Sequence, residues 1–317
     1  MVAAGGAVAL LGPRYTFEER WVEPDIGADV EQFVAESQSG TPGIRPGERS
    51  AIVWSDTAAK VRTPISFVYL HGFSADRHEI DPVVQRVASA LGANSYFPRL
   101  AGHGRDGDAM AQVTVEEWMD DVAEAVAVGR LLGERVVLVG TSTGGTLAVW
   151  AAGRPEARDD LAALVLVSPN FHPADRRSRL LVWPWGRQLA RGIAGGERCF
   201  DAANEGQATH WTTCYPTEAL LPMMALVEHV RTMRVEDVTA PILIVYSRAD
   251  RVVDPSETEA IFPRFGSATK TLFAVEGSTD PSQHILAGDI MGPETTDELV
   301  SRILVFLRTA LDAPGDP

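Results

Sequence analysis

Apolar residues fall into two alternating rhythms along this chain from Ser50 onward. Short, near-continuous apolar runs occur at Ala51–Trp54, Ile65–Leu70, Ser95–Phe97, Arg135–Val139, Ala163–Val167, Ile242–Tyr246 and Thr271–Val275. Strands buried on both faces read this way, because neither side of the pleat meets water. Between the runs lie longer stretches with helical spacing. Thr114 with Glu117 three residues on forms a capping box, followed by Val115, Trp118, Val122 and Val126 on one face. Pro293 opens a last helix to about Leu311, with Leu299, Ile303 and Phe306 aligned. Strand and helix in alternation predict an α/β fold, a mainly parallel sheet with helices on both faces.

The rhythm has two interruptions. Residues 1–49 are expected to be an amino-terminal arm and lead-in: an apolar stub from Met1 to Gly12, then a Pro/Gly-punctuated segment with one short helix at Asp29–Gln38. The stub lacks a basic start and a small-residue cleavage site, so it is read as an arm in a cytoplasmic protein, with export or anchoring left open. Between Pro169 and Ala240 about seventy residues carry no good strand. They hold Phe171, Trp183, Trp185, Phe200, Trp211, Tyr215, Met223, Met224 and both cysteines. An insert of that length between sheet strands is commonly functional. The expected organisation is a core of residues 50–170 and 237–317 with a cap, or lid, inserted at 171–236.

Composition narrows the partners. The 317 residues are 45% apolar with a net charge of −15, so phosphate backbones would repel the chain and nucleic-acid binding is not expected. No apolar run approaches the roughly 20 residues that span a bilayer. Two cysteines, Cys199 and Cys214, exclude a disulfide scaffold and a four-thiolate metal site. They would pair if the protein were exported and stay free thiols in the cytoplasm.

Chemistry concentrates at Gly140-Thr141-Ser142-Thr143-Gly144. Alone, G-x-S-x-G arises by chance in such a composition with a probability of roughly 0.1. Here it follows the run Arg135–Val139 and precedes a helix-like stretch, Thr146–Ala152, which is the strand–turn–helix context of a nucleophile elbow. A serine hydroxyl needs a base, and the base needs a partner. Of seven histidines, His284 lies in the loop after the last strand, on the rim where the carboxyl ends of parallel strands converge. The order serine, acid, histidine places the acid between them. Asp250, just past Ile242–Tyr246, fits best; Asp254 is its rival, and Glu276 and Asp280 are weaker ones. Developing negative charge needs N–H donors. Thr143, after the serine, and Phe73 in His71-Gly72-Phe73 are the candidates, with Gly72 permitting close backbone approach.

Taken in order, Leu70-His71-Gly72-Phe73, Pro98 to Gly104, the serine elbow, Ser247-Arg248-Ala249-Asp250 and His284 resemble the α/β-hydrolase superfamily. Within it the chain is similar to bacterial carboxylesterases and monoacylglycerol lipases with a small cap. The resemblance runs from about Ser66 to Leu307. It implies Ser142 as nucleophile, His284 as base, Asp250 as acid, oxyanion donors at Phe73 and Thr143, and no metal or cofactor. Thr143 departs from the apolar, Met or Gln residue common after the nucleophile. Gly102-His103-Gly104 is expected to be a structural loop.

The implied activity is hydrolysis of small carboxylic esters, short- to medium-chain or aryl esters and monoacylglycerols among them, through an acyl-enzyme. His71, Gly72, Trp183 and Trp211 are the candidate substrate contacts. A thioesterase, acyltransferase or lactonase would use the same triad, and a non-catalytic ligand-binding homologue would keep the pocket. Residues 171–200 carry six arginines against two acids. That excess would either attract an anionic substrate or form ion pairs with the acidic body.

Overall fold

A computed structural model describes residues 12–312. The stub expected at 1–12 lies outside them except for Gly12. Seven strands form one sheet: β1 (Ala51–Val53), β2 (Thr63–Leu70), β3 (Asn94–Phe97), β4 (Gly133–Thr141), β5 (Leu161–Val167), β8 (Ile242–Tyr246) and β9 (Lys270–Ala274). Their order is β1-β3-β2-β4-β5-β8-β9. Only β1 runs antiparallel to its neighbour; every other pairing is parallel.

Every central strand is covered on both faces, which accounts for the continuous apolar runs. Val68, Leu70, Val136, Leu138, Leu164, Leu166, Ile242 and Ile244 belong to one core. The alternate residues Phe67, Tyr69, Val137, Val139, Val165, Val167, Leu243 and Val245 belong to the other. The first core is closed by helices Val115–Leu132, Thr143–Ala152 and Leu220–Thr232, the second by Val83–Ala90 and Pro293–Asp312. A one-residue slip in any central strand would exchange these two sets.

Local signals in the sequence become local bonds. The Thr114 hydroxyl accepts from Glu117 N at 3.2 Å, and Thr114 N donates back to the Glu117 carboxylate at 2.8 Å. Asp29 caps helix Val30–Ser37 by accepting from Glu31 N and Gln32 N. The lead-in is tethered. Glu19 accepts from Trp150 Nε1 at 2.8 Å, Arg130 pairs with Glu23 at 2.6 Å, and Arg20 pairs with Asp120.

Between β5 and β8 the structure departs from the expectation of an insert without strands. Two three-residue strands, β6 (Glu197–Cys199) and β7 (Cys214–Pro216), pair antiparallel. Cys199 faces Cys214 in that register, and the two form a disulfide with Cα atoms 4.1 Å apart. Strands this short and polar carry no period to read. Helix Leu220–Thr232, at the carboxyl end of the same insert, buries Leu221 to Val227 in the main core. Among the described residues no helix is long and apolar enough to cross a membrane.

Candidate active site

β4 ends at Thr141, and the chain turns into helix Thr143–Ala152 through Ser142, whose backbone sits at φ 52° and ψ −116°. A non-glycine residue with positive φ is strained and persists only where its surroundings enforce it. Here they do. Ser142 N donates to Val167 O at 2.9 Å, and Ser142 O accepts from Thr146 N at 3.1 Å and Asn170 N at 3.0 Å. The flanking glycines are sterically required. A Cβ on Gly140 would lie 2.5 Å from Gly144 O, and one on Gly144 would lie 2.0 Å from Leu70 O.

The loops after β8 and β9 bring Asp250 and His284 together. His284 Nδ1 lies 2.8 Å from Asp250 Oδ2, and both side chains are buried. The other oxygen of Asp250 accepts from Val252 N and Val253 N at 2.8 and 3.0 Å, which fixes the carboxylate. Burial alone would lower the His284 pKa. The charge and hydrogen bond of Asp250, with Glu79 and Asp280 behind them, outweigh burial and raise it.

The rival acids serve other ends. Asp254 caps helix Pro255–Ile261 and pairs with Arg176 at 3.3 Å, while Glu276 is exposed. Asp280 accepts from the backbone N–H groups of Ser282, His284 and Ile285 at 2.8–2.9 Å, so it shapes the histidine's loop without meeting its ring.

Ser142, His284, Phe73 and Thr143 line one cavity of about 620 Å³. Among the described residues the hydroxyl of Ser142 is not hydrogen-bonded to His284, a link that often tightens only around substrate. The backbone N–H groups of Phe73 and Thr143 have no acceptor among the described residues. Trp211 joins the lining, beside Tyr215, Leu220 and Met223 from the insert. Trp183 is 58% exposed, and neither it, His71 nor Gly72 lines the cavity. His71 instead accepts from Leu100 N at Nε2 and faces Gly72 O with Nδ1, and burial drives its pKa down to about 4. Its neutral ring braces the turn behind the site. His103 is equally buried and packs edge-on against Phe73 and His71.

One residue of the candidate site escaped the sequence reading. Glu79, in a short turn of helix after β2, is 2% exposed and lines the cavity. Its carboxylate accepts from Gly72 N at 2.7 Å and from the Tyr69 hydroxyl at 2.9 Å, and that hydroxyl also lies 3.0 Å from Thr141 Oγ1. The chain Thr141–Tyr69–Glu79–Gly72 therefore connects the residue before Ser142 to the residue before Phe73. Burial pushes the Glu79 carboxyl up to about 7. Gly72 is glycine because a Cβ there would lie 2.5 Å from this carboxylate. A charged residue seven positions from its target, in a turn, leaves no periodic trace.

The basic run of the insert is largely neutralised in place. Arg176 pairs with Asp254, Arg177 with Asp175 at 2.7 Å, Arg179 with Glu257 at 3.9 Å, and Arg191 with Glu218. Arg177 and Arg198 still reach the cavity lining.

Residues 65–279 match the family described as serine aminopeptidase, S33 (Hydrolase_4). The chain is 25% identical over 226 residues to a thermostable monoacylglycerol lipase of Bacillus sp. (strain H-257), covering 68% of this chain and 82% of that protein. Among solved structures it is similar to one from a study of the metagenome-derived lipolytic enzymes LipS and LipT. There the TM-score is 0.66 and the identity 24%, over 84% of this chain and 99% of that one. A soluble variant of monoglyceride lipase from Saccharomyces cerevisiae aligns with a TM-score of 0.64 and 13% identity, over 84% and 92% of the two chains. At these identities the structural likenesses speak for the fold.

Proposed function

The chain belongs to the serine aminopeptidase S33 (Hydrolase_4) family and is an α/β-hydrolase of the esterase and lipase type, and from that premise we propose a serine carboxylesterase acting through an acyl-enzyme. Ser142 Oγ attacks the ester carbonyl while His284 takes its proton. Asp250 holds the imidazole in one orientation and stabilises its protonated form. The N–H groups of Phe73 and Thr143 receive the oxyanion. His284 then protonates the leaving alcohol, and water activated by the same ring cleaves the acyl-enzyme. The observation that carries the reading is the buried His284–Asp250 pair at 2.8 Å, sharing one cavity with a serine held in strained geometry.

The cavity's apolar lining, with Leu181, Leu220 and Met223 against Trp211, suits a short- to medium-chain acyl or aryl group, and its volume suits a monoacylglycerol. In our reading, residues 171–236 act as the cap that closes over this acyl group. The disulfide weighs toward an oxidising compartment over the cytoplasm expected from the sequence.

The test is hydrolysis of p-nitrophenyl esters from acetate to palmitate by the wild type and Ser142→Ala. Turnover that falls on the order of 10⁴-fold in the alanine variant supports the assignment. Two results would sink it: no ester turned over by the wild type, or turnover unaffected by the substitution. Product analysis with added alcohol separates hydrolysis from acyl transfer.

A further inference from the structure

Away from the cavity, Glu48, Asp76, His78 and His210 each offer one ligand atom, and all four atoms lie within 4.8 Å of one another. None of the four lines the cavity. We propose that they form a zinc-class metal site that ties the lead-in segment, the loop after β2 and the insert to one another. The donors come from three distant parts of the chain. Glu48 closes the lead-in, Asp76 and His78 follow the Phe73 loop, and His210 ends helix Glu205–His210 of the insert.

Both histidines face the cluster through Nδ1. His210 Nδ1 lies 3.1 Å from Glu48 Oε1 and 2.9 Å from Asp76 Oδ2, and His78 Nδ1 lies 2.9 Å from Asp76 Oδ1. Tetrahedral coordination at zinc's usual bond lengths separates ligand atoms by about 3.3 Å, so small side-chain adjustments bring four donors onto one ion. Two imidazoles and two carboxylates suit zinc or cobalt; calcium and magnesium prefer an all-oxygen shell with more ligands.

Hydrogen bonding leaves the carboxylates of this cluster short of donors. One nitrogen, His210 Nδ1, carries at most one proton and faces oxygens of two different carboxylates. Glu48 is 2% exposed, and its Oε2 is buried with no hydrogen-bond partner. Arg45 and Arg77 are close enough to act on Glu48 electrostatically, yet Arg45 Nη1 donates to Arg105 O and Thr212 Oγ1, while Arg45 Nε, Arg45 Nη2 and Arg77 Nε are buried without a hydrogen-bond partner. Imidazole and carboxylate ligands bind a metal in their deprotonated forms, so affinity should fall as the medium is acidified. Thr212 N donates to Ser74 O at 2.7 Å, so the same junction already joins the insert to the Phe73 loop.

The test uses tag-free, chelator-treated protein dialysed against zinc chloride, with bound metal measured by elemental analysis and thermal unfolding followed in parallel. One zinc per chain, with Tm raised by about 4 °C at zinc a hundredfold above Kd, is the expected result. His210→Ala and Glu48→Gln should each weaken binding by tenfold or more. Cobalt in place of zinc should give the visible absorption of a tetrahedral N/O site in the wild type, a readout independent of the variants' folding. Absence of stoichiometric binding by the wild type would overturn the site. So would binding that both folded variants retain unchanged. None of these readouts depends on ester hydrolysis.

Discussion

At the scale of single residues, Glu79 and His284 share an electrostatic fate. In the proposed mechanism His284 must be neutral to act as base, so kcat/KM should rise with pH along a limb set by its pKa. Asp250, Glu79 and Asp280 raise that pKa, and the limb should lie above an ordinary imidazole's. Glu79→Gln removes one negative charge while keeping an acceptor for Gly72 N, and should move the limb to lower pH in a kcat/KM profile. Glu79→Ala also abandons Gly72 N, and should lower kcat as well. Glu79 further links pH to stability. Its folded pKa of about 7 exceeds the unfolded value, so its contribution is full under acid conditions and declines as pH rises through about 7. The loss is on the order of 3 kcal/mol. Urea midpoints of wild type and Glu79→Gln at pH 5 and pH 8 should therefore diverge, with the glutamine variant gaining at pH 8.

At the scale of elements, the turn at Ser142 and the capping box at Thr114 invite substitution. Gly144→Ala would drive a Cβ into Leu70 O, backbone of the neighbouring strand that cannot swing aside. A destabilisation of about 3 kcal/mol or more should appear as a lower urea midpoint with unchanged slope. Thr114→Ala should cost about 1 kcal/mol. These elements were legible because their signals are local: two-faced burial writes continuous apolar runs, and caps write Thr-x-x-Glu. Ser142 and His284 could be picked out as candidates from their positions after strands, and the fold brings both to one cavity. Glu79 and the Glu48–Asp76–His78–His210 cluster could not, since each gains meaning only from contacts the fold creates, as far apart as residues 48 and 210. Strands β6 and β7 were missed for a related reason: three residues make less than two periods of alternation.

For the whole molecule, residues 171–236 are held to the sheet by unequal means. Helix Leu220–Thr232 is sunk in the core, whereas the β6–β7 hairpin is joined across Cys199–Cys214. Closing a loop of this size by a disulfide contributes about 3 kcal/mol by the chain-entropy argument. Reduction, or Cys199→Ala with Cys214→Ala, should open the hairpin without unfolding the sheet. Limited proteolysis should then cut near residues 195–215 first. Ester assays should show KM rising more than kcat falls, because Trp211 and Tyr215 line the cavity while Ser142, His284 and Asp250 stand on the sheet's own loops.

The backbone at Ser142 puts chemistry and durability in competition. A side chain held at φ 52° stores strain of about 1–3 kcal/mol. Ser142→Gly should melt above Ser142→Ala, although both lack the hydroxyl. Stability alone would favour glycine here, so any substitution that hardens this turn by relieving its backbone also removes the hydroxyl on which the proposed reaction depends.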